Sequence, residues 1–217
     1  MATFRTMAGT IAIAAACSAV MADPVLQMDI NGLGIQSRDA AGAAVPFGGT
    51  THTGSIDLFY VPPFTTLQAV SIQSGGGPFV NQGFNGQLTS VAGTINVLNG
   101  LVTGGSMLVQ VNGNTATPDT YTTQVVPNSG SIQNYVAGGF TVQGLTFQGT
   151  FSDGLFGNVN VAQFLGSLTG SFLQFNFAPN GNGGGFADID LFVVAPAPGS
   201  LGLLAGAGLL AARRRRR

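Results

Sequence analysis

Phe140-Thr141-Val142-Gln143-Gly144-Leu145-Thr146-Phe147-Gln148-Gly149-Thr150-Phe151 alternates apolar with polar or small residues along most of its length. A period of two places successive side chains on opposite faces of an extended chain, so the stretch reads as a strand with one face in a core and the other toward water. The same period recurs on both sides of it. Residues 55–60 alternate as far as Leu58, 68–72 alternate throughout, 107–111 end that way, and 171–177 and 188–192 repeat the pattern. Weaker candidates are 25–30, 87–97, 121–126 and 159–164. Turn residues separate them at Gly75-Gly76-Gly77-Pro78, Asn112-Gly113-Asn114 and Asn180-Gly181-Asn182-Gly183, and Asp29-Ile30-Asn31-Gly32 reads as a strand end followed by a turn. The interior shows no sustained helical stripe. Many short strands with turn signals between them predict an all-β domain, an antiparallel β-sandwich or small β-barrel. Most of the 16 phenylalanines are expected to alternate inward.

Charge separates the ends from the middle. Arg5 lies near the start, and Arg213, Arg214, Arg215, Arg216 and Arg217 close the chain, which leaves Arg38 as the only interior cation against eight aspartates. Nucleic-acid binding rests on cations that neutralise phosphate, so this interior excludes it.

The first 22 residues read as a secretory signal peptide, a helix to be removed. Arg5 supplies the positive start, residues 7–16 the apolar stretch, and Val20-Met21-Ala22 a small-residue exit, with cleavage expected between Ala22 and Asp23. Cys17 after three alanines also permits a lipoprotein reading, although the aliphatic residue usual three positions before the cysteine is missing. Cleavage after Ala22 removes Cys17, the only cysteine, and with it any disulfide or thiolate chemistry. Residues 23–195 then form a single β-rich extracellular domain.

At the other end Pro196-Ala197-Pro198 precedes an apolar run over 201–212 and the five terminal arginines. The prolines end the preceding strand and keep the segment extended. The apolar run can enter a bilayer as a short helix, and the arginines resist crossing it. In this order of parts, residues 196–217 resemble the C-terminal sorting signal of the PEP-CTERM family of exported bacterial proteins. Pro196, Ala197 and Pro198 fall on the family's Pro-Glu-Pro-like tripeptide, with Ala197 where glutamate is usual, and Arg213 to Arg217 fall on its basic end. The resemblance implies processing by an exosortase and placement at the cell envelope or outside it, with the tail transiently or stably in the inner membrane. The partners expected are the export machinery, signal peptidase, an exosortase-like enzyme, the inner membrane and extracellular polysaccharide.

Catalytic means are few. The interior has no Lys, Glu or Trp, and its one histidine is His52, which a Ser-His-Asp arrangement could combine with Asp57 and a serine. Thr50-Thr51-His52-Thr53-Gly54 reads more simply as a polar turn before a strand. Asp188 and Asp190 could serve as paired carboxylates, yet at i and i+2 they fall on one face of a strand, where solvent-facing aspartates are common. With Asn180 and Asn182 they supply oxygens for calcium, but their spacing departs from an EF-hand loop. No catalytic, cofactor or metal site is assigned from the sequence. A noncatalytic structural or adhesive role at the envelope is expected, the alternative being a secreted carbohydrate-binding module or polysaccharide hydrolase.

Overall fold

The computed structural model describes residues 25–46, 52–113, 117–136, 139–143, 145–165, 173–179 and 184–195. The signal segment with its Ala22–Asp23 junction, and the tail from Pro196 to Arg217, lie outside the described residues, so both expected terminal helices do too. The strands are β1 (Val25–Asp39), β2 (Gly54–Phe59), β3 (Thr66–Gln73), β4 (Val80–Asn81), β5 (Gln87–Leu98), β6 (Leu101–Asn112) and β7 (Asp119–Val125). They continue with β8 (Ser131–Val136), β9 (Gly139–Gln143), β10 (Phe147–Phe151), β11 (Leu155–Phe156), β12 (Val159–Asn160), β13 (Leu173–Pro179) and β14 (Gly184–Val194). Among the described residues the only helical piece is a single 3-10 turn, Ala162–Phe164, and no helix is long and apolar enough to cross a membrane.

Twelve strands join one antiparallel sheet in the order β10-β7-β6-β5-β2-β1-β14-β13. Beside β1, β3 takes the edge that β2 leaves free and carries β4, while the β8–β9 hairpin attaches to the start of β6 through Leu101 and Ser131. The sheet curls into a half-barrel, as a right-handed twist accumulated over many strands leads it to do. Its curl brings β9 alongside β13. The antiparallel β class follows the sequence reading, and the curl of one continuous sheet is the feature that reading left open.

Alternation builds the core. Leu26, Met28 and Ile30 of β1 point inward with Ile56 and Leu58 of β2, Ile95 of β5, Met107, Val109 and Val111 of β6, and Ile189, Leu191 and Val193 of β14. An aromatic group fills one end, with Tyr121 and Phe151 ring centroids 4.6 Å apart and Phe151 and Phe156 5.4 Å apart. There the buried Asp119 carboxylate accepts the Gly157 N–H at 2.8 Å, which ties the start of β7 to the β11–β12 turn.

Three expected boundaries are corrected. Asp29-Ile30-Asn31-Gly32 is no strand end: β1 continues through it as a bulge, with Ile30 opposite Ile189 and Leu33 opposite Ala187. Gly32 at φ +66 makes this possible, because a side chain there would be strained and would run into the Phe64 carbonyl. The long run from Phe140 to Phe151 is two strands, β9 on β8 and β10 on β7, because Thr146 is held by Val126 N–H at 2.9 Å and by the Ser129 hydroxyl. Residues 159–164 become the short β12 and then the 3-10 turn.

Candidate functional site

His52 and the aspartates, the polar residues singled out by sequence, go to opposite sides of the sheet. His52 is buried, with Nε2 3.5 Å from the Ser37 hydroxyl and 3.3 Å from the Ser55 carbonyl oxygen. Its own carbonyl accepts the Gly100 N–H at 2.8 Å, so it closes the core beneath the β5–β6 hairpin. Asp57 faces the outer side, where its carboxylate pairs with Arg38 and accepts the Thr94 hydroxyl at 3.3 Å. A hydroxyl-imidazole pair thus lies inside while the aspartate named with it is engaged outside.

The outer face of β1 and β14 carries the other group. Asp29 stands directly opposite Asp190 across the two strands, and Asp188 faces the β1 bulge, where it accepts the Gly32 N–H at 3.1 Å. The Gln27 side chain donates to Asp190 Oδ1 at 2.9 Å. Asn31 satisfies its neighbours with its amide nitrogen turned toward them, 3.2 Å from Asp188 Oδ1 and 3.3 Å from Asp29 Oδ1. In register, β13 sets Gln174 opposite Asp190 and Asn176 opposite Asp188. Burial, then the negative charges of Asp190 and Asp188, hold the Asp29 carboxyl above the ordinary aspartate range. Amide dipoles soften this repulsion, and among the described residues no cation meets these carboxylates. Arg38, the single interior cation, is bound to Asp57.

Beside the carboxylates lie three outward phenylalanines. Phe186 and Phe59 flank Gly34 in register on either side of β1, and Phe64 projects from the loop before β3 with its ring centroid 5.8 Å from that of Phe186. Exposure of 42% for Phe59, 63% for Phe64 and 44% for Phe186 makes this a surface feature rather than core. Gly34 has no side chain because the Phe59 ring and Val61 occupy the space one would need. Among the described phenylalanines the inward expectation holds for Phe147, Phe151, Phe156 and Phe164 and fails for Phe59, Phe64, Phe79 and Phe186.

No protein-family model, curated protein or solved structure matches the chain.

Of the oxygens considered for calcium, Asn180 and Asn182 lie outside the described residues, whereas Asp188 and Asp190 are accepting hydrogen bonds from β1. Among the described residues no group of three His, Cys, Asp or Glu side chains is arranged to hold a metal ion. A shallow cleft of about 730 Å³ opens between the β3–β4 segment and the 3-10 turn, with Gln82, Asn160 and Gln163 as its amide side chains and Ile72 and Val80 as apolar wall. Sequence reasoning missed Asp29, Phe59, Phe64 and Phe186. For Phe186 a signal existed, since it shares the phase of Asp188 and Asp190 and so falls on their face.

Proposed function

We propose that this chain is an exported envelope or extracellular-matrix protein, sorted through its PEP-CTERM-like tail, with a noncatalytic structural or adhesive role for the β domain. The observation that carries the reading is the pairing of the first and last strands. Val25 is the register partner of Val194, and Ala195 is still buried, so the first and last described strands run side by side with the start of one beside the end of the other.

The exposed phenylalanines favour adhesion and bring the alternative of a carbohydrate-binding module close to it, since aromatic faces at a surface pack on the apolar faces of sugar rings. A hydrolase gains no comparable support. The imidazole that would act as base is enclosed at 5% exposure, and the acids on the outer face are tied to amides of β1.

Terminal mapping by mass spectrometry of protein recovered from cells and medium tests the sorting. A species that begins at Asp23 and lacks the five arginines is expected, found with the envelope or matrix fraction. Full-length chain in the cytosol, with Met1 and Arg217 both present, would overturn it.

A further inference from the structure

We propose that the outer face around Phe64 and Phe186 binds a polysaccharide bearing free amino groups, its sugar rings packing on the two phenylalanines and its ammonium groups meeting Asp188, Asp190 and Asp29. The proposal rests on the adhesive reading above and names the ligand of that face.

Position in the sheet rules out strand addition at β1 and β14. β1 is flanked by β14 on one side and by β3 and β2 on the other, and β14 by β1 and β13, so neither has a free edge. An extended peptide is usually captured by adding a strand to such an edge. Here a ligand has to be read by side chains alone. Those side chains are rings: Phe64 stands against Phe186, and the Phe59 ring covers Gly34 on the other side of β1. A sugar ring offers a flat C–H face of matching size.

Charge selects among sugars. Three carboxylates stand within a few residues of the rings, with Asp188 two positions from Phe186 on the same face and Gly32 joining Asp188 to the Phe64 segment. Uronic or phosphorylated sugars would be repelled. A neutral sugar would leave the mutual repulsion of the aspartates in place, whereas an ammonium group relieves it and also gains from the electron-rich ring faces. Burial first, and the charges of Asp190 and Asp188 after it, raise the proton affinity of Asp29.

The test titrates the full chain with β-linked glucosamine oligomers, their fully N-acetylated counterparts and polylysine. Glucosamine oligomers are expected to bind, with the acetylated oligomers at least about tenfold weaker and the binding weakened further by about 0.5 M salt. Phe64→Ala and Phe186→Ala should each weaken binding about three- to fivefold, and Asp188→Asn with Asp190→Asn about tenfold together. The exposed Phe64 makes its variant safe for folding, and an unchanged melting temperature verifies this. Equal binding of acetylated and free oligomers overturns the role of the amino group. Polylysine binding that the phenylalanine variants weaken as strongly overturns the role of the sugar. If glucosamine oligomers fail while the protein still co-sediments with the matrix of its own cells, the ligand falls and the adhesive reading stands; loss of both removes that reading as well.

Discussion

Phe147, Phe151, Phe156 and Phe164 are almost wholly buried, whereas Phe59, Phe64 and Phe186 stand in water on the far side of the same sheet. Composition does not distinguish the two groups. The inner rings touch other rings, as Phe151 does Tyr121 and Phe156, and removing one leaves a hole that the curled sheet cannot close. Outside, Phe64 lies against Phe186 and the Phe59 ring lies over Gly34, and water already reaches all three. The same residue type therefore acts on stability in one place and on recognition in the other.

Truncating an inner ring should do the most damage. Phe151→Ala is expected to cost about 3–5 kcal/mol in denaturant unfolding, the range for aromatic truncation in a packed core, and a loss under 1 kcal/mol would mean that the inner group is not a core. His52→Ala comes next at about 1–3 kcal/mol, because Ser37 stays buried with a partner removed. If His52 belongs to the inside, matrix adhesion at equal folded concentration stays as it was. Gly32→Ala bears on both sides at once. Its left-handed backbone should cost about 1–2 kcal/mol, and the displaced Phe64 segment should weaken adhesion beyond what the shift in melting temperature accounts for.

On the outer side, Phe64→Ala should change stability by no more than about 0.5 kcal/mol while reducing adhesion; a clear fall in the thermal midpoint would erase the contrast between the two groups. The smallest effect expected is a gain. The folded Asp29 carboxyl holds its proton more tightly than the unfolded one, so its ionisation opposes folding at neutral pH, and the penalty fades as pH falls through the folded value toward the ordinary aspartate range. Asp29→Asn should therefore raise the melting temperature slightly at pH 7 and lose that advantage near pH 3. An advantage that instead grows on acidification would show that the Asp188–Asp190 charges do not oppose Asp29.

Phase changes in the alternation made much of this legible. In β1 the inward residues are Leu26, Met28 and Ile30, then Leu33 and Ile35, and the change of parity marks the bulge at Asn31-Gly32. Between Val142 and Leu145 the parity changes again, where the long run breaks into β9 and β10. Both were visible in the chain, but a parity change by itself does not distinguish a bulge from a break. That depends on whether the partner strand continues, as β14 does past β1, or ends, as β7 does at Val125. Asn99-Gly100, both with positive φ, is the hairpin turn between β5 and β6 and a strong local signal. Phe64 carried no such signal, for it lies in a loop where no period applies.

By itself the sequence determined the β class, the excess of acid, the poverty of catalytic groups and the order of parts in the tail, because each follows from residue type or from a local period. Tertiary structure alone decided that Asp29 meets Asp188 and Asp190 and that Phe59, Phe64 and Phe186 share one surface. A period of two tells a side chain which face to take but not which strand lies alongside. That neighbour is set by pairing between segments far apart in the chain, where the gain from burying the inner face selects the register and the outer face is carried with it.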